Sequence, residues 1–150
     1  MRFLSRTPVR TFIVYPSLTL LGEYFFRGGD LALNLWFAPL LVWGYLQYRL
    51  CGLYRIKHGG GGPGLETPPD RLVDTGPYAY SRNPMYLGHL IFLTGLTLTL
   101  QSLFAALITV AVAVWFHIRI RRDEQRLVER LGEPYARYLQ SVKRWLPGLW

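Results

Sequence analysis

Residues 83–118 read NPMYLGHLIFLTGLTLTLQSLFAALITVAVAVWFHI, 36 residues without an Asp, Glu, Lys or Arg. A single helix of that length would run about 54 Å, against a bilayer hydrocarbon core of about 30 Å. The run is therefore read as two spans, 84–100 and 102–118, joined by a tight turn. Gln101 and Ser102, the most polar point in its middle, are the expected turn.

Two more apolar segments precede it. Residues 11–26 form a short one that carries Pro16 and Glu23, and residues 31–50 are long enough to span alone. Arg27, Gly28, Gly29 and Asp30 separate them, a turn composition. Arg2, Arg6 and Arg10 would suit the start of a signal peptide. The segment lacks a small-residue cleavage site, however, and Glu23 interrupts it, so it reads as a retained span.

Just over half of the 150 residues are hydrophobic, yet 17 are Lys or Arg and the net charge is +8. Both facts hold only if charge and apolar surface are segregated along the chain. Residues 1–10 carry three basic side chains, residues 49–82 five, and residues 119–150 eight. Arg27 is the one outside these clusters, and the Gln101–Ser102 turn has none. Positive charge in alternate connections marks the cytoplasmic side. Four spans with both termini cytoplasmic satisfy the pattern, and an odd number does not. No nucleic-acid partner is expected. Cys51 is the only cysteine, so an internal disulfide is impossible.

The connection after the second span opens on Tyr54, Arg55, Ile56, Lys57 and His58, then glycines at 59–62, Pro63 and Gly64. No Gly-Lys-Ser/Thr follows and no strand precedes, so this is not a phosphate loop. The chain also lacks a Gly-x-Ser-x-Gly nucleophile turn. The run is expected to be a flexible linker, with a lid over a site as the further possibility. Residues 71–89 follow, RLVDTGPYAYSRNPMYLGH. Gly76-Pro77 and Asn83-Pro84 are rigid turn dipeptides. Around them stand Tyr78, Tyr80 and Tyr86 with one cation, Arg82. An interfacial aromatic belt would explain the tyrosines. It would not explain two proline turns flanking an arginine.

The tail, 119–150, starts with helical character. Leu127, Leu131, Tyr135, Tyr138, Leu139 and Val142 recur at helical spacing, and Gly132-Glu133-Pro134 interrupts them. An amphipathic helix on the cytosolic membrane surface is the simple expectation, its arginines near anionic lipid. Asp123 and Glu124 stand among Arg121, Arg122 and Arg126, where surface ion pairs would contribute little. His89 and His117 have no evident third ligand, and no metal site is expected. Glu23, a carboxylate within an apolar segment, is a functional candidate by default.

Two of these stretches resemble the isoprenylcysteine carboxyl methyltransferases and the related membrane phospholipid methyltransferases. The first is Gly76-Pro77-Tyr78 followed by Arg82-Asn83-Pro84-Met85-Tyr86-Leu87-Gly88. The second is Asp123-Glu124, Leu127, Leu131-Gly132-Glu133-Pro134-Tyr135, Tyr138 and Pro147. Asn83 stands where the prenylcysteine enzymes have His, and Asp123 where Glu is usual.

The resemblance implies an all-α integral membrane protein, one domain over residues 1–150 with about four transmembrane helices. It implies a cytosolic cofactor pocket between the loop before span three and the C-terminal helix. The activity implied is transfer of a methyl group from S-adenosylmethionine to a lipophilic or lipid-anchored substrate, first of all a carboxylate. A phospholipid amine is the alternative acceptor. A nicotinamide-dependent membrane reductase and a non-enzymatic scaffold are more distant alternatives. Arg82 and Glu124 are the implied catalytic residues. The implied cofactor contacts are Gly76, Pro77, Tyr78, Tyr80, Asn83, Pro84, Tyr86, Gly88, His89, Tyr135 and Tyr138.

Overall fold

The computed structural model describes residues 6–28, 32–62 and 65–145. Arg2, Gly29, Asp30, Pro63, Gly64 and Pro147 lie outside the described residues. Among the described residues all regular structure is helical.

Breakers, not charges, set the helix ends. The first helix is built from Thr7–Val9, a π-helical turn Arg10–Val14, and Tyr15–Phe26. The wide turn stands just before Pro16, whose missing N–H and bulky ring disrupt ordinary i→i−4 pairing. Tyr15 N–H reaches back to Arg10 O instead. The second long helix is Ala38–Gly59. It starts later than residue 31 because Pro39 fits a first turn and not a helix interior. Asn34 leads into it, its side chain accepting from Trp36 N–H at the short 3₁₀ turn Leu35–Phe37. The helix passes Arg49, Arg55 and Lys57 unbroken and stops only at the glycine run, where Gly60 has φ +73°.

Pro84–Leu100 and Leu103–Leu131 form a helical hairpin. Gln101 at the turn takes φ +47°, and Ser102 N–H bonds Thr97 O at 3.2 Å. This is the closure usually made with glycine at the left-handed position. Ser102 Oγ then accepts from Ala105 N–H at 2.9 Å and caps the next helix. That helix runs 29 residues, through the onset of charge at Arg119, because neither Gly nor Pro occurs before Gly132. Of the described helices it alone is long and apolar enough to cross a membrane by length and composition; Pro84–Leu100 is apolar but shorter. Glu133–Ser141 follows after Gly132 at φ +66°.

The chain divides into two compact units, Met1–Leu46 with Gly88–Val114, and Gln47–Leu87 with Trp115–Trp150. In the first, helix backbones approach closely at glycines. A Cβ on Gly44 would lie 2.5 Å from Phe92 N and 2.7 Å from Gly88 O; one on Gly95 would lie 2.8 Å from Leu40 Cβ. Small residues permit this approach where apolar helices pack together. Glu23 is buried in this unit. It accepts from Ser102 Oγ at 2.6 Å and pairs with Arg27 Nε at 2.7 Å, while Arg27 Nη2 donates to Gln101 O. The acid thus ties the first helix to the hairpin turn.

In the second unit the glycine run is anchored, not a free linker. Gly59 O accepts from Asp70 N–H and Arg71 N–H, and Gly61 N–H donates to Asp70 Oδ2 at 2.9 Å. Asp70 Oδ1 pairs with Arg130 at 2.6 Å, and Arg55 donates to Gly62 O. Multiple small backbone bonds hold what composition alone reads as flexible.

Gly44 and Gly52 share one helix, so alanine gains the same propensity at both, about 1 kcal/mol. A Cβ on Gly52 meets only the terminal methyl of Met85, at 3.2 Å. Gly44→Ala is expected to destabilise by about 2 kcal/mol or more through forced backbone separation, while Gly52→Ala stays near neutral. Thermal unfolding followed by circular dichroism in detergent checks the contrast, and equal midpoints for the two variants would count against it.

Candidate functional site

The second unit encloses a cavity of about 640 Å³. One wall is the C-terminal half of the Leu103–Leu131 helix. Trp115, Arg119, Arg122, Asp123, Arg126, Leu127 and Arg130 line it at spacings of three and four residues. Pro84, Met85 and Tyr86 form a second wall, and Tyr135 and Tyr138 a third. The loop residues Leu65, Pro68, Pro69 and Leu72 cover another side. Arg119 fastens that loop, donating to Leu65 O at 3.4 Å, with Glu66 Oε1 at 3.9 Å.

At the cavity wall a buried carboxylate meets two guanidinium groups. Glu124 has 8% of its side chain exposed, Arg82 10% and Arg144 23%. Arg144 forks onto Glu124, with Nη2 2.7 Å from Oε2 and Nε 3.2 Å from Oε2 and 3.3 Å from Oε1. Arg82 Nε lies 3.1 Å from Oε1, an ion-pair contact whose N–H is not directed at the oxygen. Arg82 Nη1 donates to Leu139 O at 2.6 Å. Such charge-assisted bonds are the strong ones, and loss of one partner of a buried pair costs about 3–5 kcal/mol.

Backbone bonds draw the same segments together. Arg82 N–H donates to Lys143 O, and both Ser81 Oγ and Asn83 Nδ2 donate to Arg144 O. Tyr138 Oη donates to Tyr78 O at 2.6 Å, and Tyr78 Oη to Cys51 O at 3.3 Å. Tyr86 Oη donates to Asp123 Oδ2 at 3.1 Å, and Asp123 also pairs with Arg119 at 3.5 Å. Burial pushes the phenols of Tyr78, Tyr135 and Tyr138 well above the ordinary tyrosine range, so they are neutral donors at any physiological pH. Gly76 is needed beside them for a local reason. It has φ +58°, and a Cβ there would lie 2.6 Å from the Tyr54 ring. Tyr54 in turn hydrogen-bonds Thr75 Oγ1 at 2.9 Å.

Of the residues singled out from sequence, Tyr78, Arg82, Asn83, Pro84, Tyr86, Glu124, Tyr135 and Tyr138 line this one cavity. Gly76 and Pro77 build the 3₁₀ turn Gly76–Ala79 that presents Tyr78, without lining it themselves. Tyr80 points outward, 70% exposed. Gly88 and His89 belong to the first unit, where His89 is fully buried and its ring stacks on Phe12 at 4.8 Å. Arg144 and the 65–72 loop are the participants that sequence reasoning missed. In the sequence Arg144 is one of eight basic residues in the tail. The rigid Pro68-Pro69 pair, followed by apolar Leu72 and Val73, was the available sign that the loop packs.

Comparison with known proteins agrees with the family resemblance. The family model described as phospholipid methyltransferase matches residues 33–133. A protein-S-isoprenylcysteine O-methyltransferase of Schizosaccharomyces pombe is 33% identical over 78 residues, which cover 51% of this chain and 33% of that protein. The Saccharomyces cerevisiae protein of the same name is 36% identical over 78 residues, covering 51% of this chain and 32% of its own length. The chain thus matches about a third of the length of these curated relatives. An uncharacterized Haemophilus influenzae protein is 38% identical over 63 residues, 41% of this chain and 100% of that protein. With two thirds of its 150 residues inside the family model, the protein belongs to the phospholipid methyltransferase family.

Proposed function

We propose that the chain is a multi-pass membrane enzyme that uses S-adenosylmethionine to methylate an acidic group on a lipophilic or lipid-anchored substrate. The observation that carries this is one cavity walled by both motifs, with the buried Arg82–Glu124 pair at its edge. Its volume falls in the range of about 300–1,000 Å³ used for small molecules and cofactors. Three neutral tyrosines suit a sulfonium, whose charge is attracted to aromatic faces.

When bound, S-adenosylmethionine supplies a methyl group on a positively charged sulfur. Tyr78, Tyr135 and Tyr138 are assigned to hold it, with Asn83 and the Gly76-Pro77 turn shaping the rim. Leu65, Leu72, Met85 and Leu127 exclude water from the cavity. Arg82 would position the substrate anion for an in-line approach to the donor methyl. With Nε against Glu124 and Nη1 donating to Leu139 O, the Nη2 N–H groups of Arg82 are assigned to the substrate anion. Glu124 is assigned to fix Arg82. An ionised carboxylate needs no general base, so no proton has to move.

A carboxylate acceptor is favoured by the lining, where six arginines face three acids. A phospholipid amine is the second reading, favoured by the description of the matching family model. The two leave different products. A base-labile methyl ester formed from membrane extract and labelled donor is the expected result, and a base-stable methylamine would transfer the assignment to the amine.

The membrane placement proposed is four spans with termini and cavity cytoplasmic. Large apolar side chains turned outward support it, among them Leu18, Leu21, Phe25, Trp43, Leu107, Val110 and Val114. Cys51 is the only cysteine and is buried, which makes the topology simple to test. In a Cys51→Ala background, single cysteines at Leu103 and at Arg137 should react with an impermeant maleimide from opposite sides of sealed vesicles. Labelling from the same side would reject the four-span arrangement.

Arg82→Ala and Glu124→Ala are each expected to lower methyl transfer by about 100-fold or more, with membrane insertion intact. Radiolabel transfer in detergent, beside alkaline extraction of membranes, checks this; normal turnover in either variant removes that residue from the site.

A further inference from the structure

We infer that Arg144 is a positioning residue for the reaction, acting through Glu124 on Arg82; this rests on the methyl-transfer reading above. Arg144 does not line the cavity. It stands behind Glu124 and supplies the donors to Oε2, at 2.7 Å from Nη2 and 3.2 Å from Nε. Arg82 reaches only Oε1, at 3.1 Å and off-axis. Without Arg144 the carboxylate loses both donors on one oxygen and is free to turn away from its place against Arg82. Arg82 then has one firm hold left on its guanidinium, the 2.6 Å bond to Leu139 O.

The same segment grips the loop from its other side. Leu139 O, Lys143 O and Arg144 O accept from Arg82, Ser81 and Asn83, so residues 139–144 form a strap across residues 81–83. The strap's backbone bonds set where the loop lies. The Arg144 side chain, through Glu124, sets which way the Arg82 guanidinium faces. Lys in its place would keep the charge and lose the planar fork.

The test compares wild type, Arg144→Lys and Arg144→Ala. Methyl transfer is measured with donor and acceptor varied separately. In the same preparations, the rate of Arg82 modification by phenylglyoxal is read by peptide mass spectrometry, which does not depend on turnover. Arg144→Ala should lose about 100-fold in kcat, the scale of a 1 Å misplacement, with KM for the methyl donor little changed and Arg82 modified several-fold faster. Arg144→Lys should fall between, and it keeps the inference testable if the alanine variant does not fold. Wild-type kcat in Arg144→Ala, or a fall in thermal stability with kcat and Arg82 modification unchanged, overturns the assignment. A wild type that transfers no methyl strikes the enzymatic reading instead. In that case an unchanged Arg82 modification rate also overturns the hold of Arg144 on Arg82, and a faster one upholds it.

Discussion

A carboxylate removed from water must be compensated, and the second unit is organised around that requirement. Glu124 sits within a helix of otherwise solvated charge, yet it is buried and shared between Arg82 and Arg144. Satisfying it brings together residues 42 positions before and 20 positions after it in the chain. The loop at 81–83 and the strap at 139–144 then pair through backbone groups that would otherwise face each other unsatisfied. The cavity wall follows, because Tyr78 and Tyr138 are held by the same closure.

The first unit applies the same rule on a smaller scale. Glu23 lies inside an apolar segment, and its cost is offset by Arg27 one helical turn on and by Ser102 at the hairpin turn. Elsewhere this unit has few charges and relies on close backbone approach at Gly44 and Gly95. Thr97 and Thr109 add a side-chain bond across the hairpin at 3.1 Å. Hydrogen bonds of this kind between helices contribute modestly in a membrane, about 1 kcal/mol or less.

Charge also separates two jobs among the arginines. Arg82, Arg119, Arg130 and Arg144 are fastened to carboxylates or carbonyls and hold loops in place. Arg126 is largely exposed, with only a 3.8 Å contact to Asp123. Mutation of the first kind acts on geometry, whereas mutation of the second acts on the field around the cavity.

The sequence by itself determined the all-helical character and the place of the hairpin turn. An uncharged run too long for one span required a turn, and the polar Gln101-Ser102 pair was its natural place. The spacing of Leu127, Leu131, Tyr135 and Tyr138 marked a helical tail, and all four line the cavity. Eight of the site residues that the family resemblance implies line one cavity. Helix ends were less legible, because the onset of charge at Arg119 looks like a boundary but breaks no backbone hydrogen bond. Tertiary structure alone decided who pairs with whom. Nothing local distinguishes Arg144 from Arg121 or Arg137, since a guanidinium acquires its partner from the path of the chain and not from its neighbours. The same holds for His89, one helical turn beyond Tyr86, which packs on Phe12 and not at the cavity. Local order follows from periodicity and breakers in the chain, but the pairing of buried charges follows from which segments the fold brings within 3 Å.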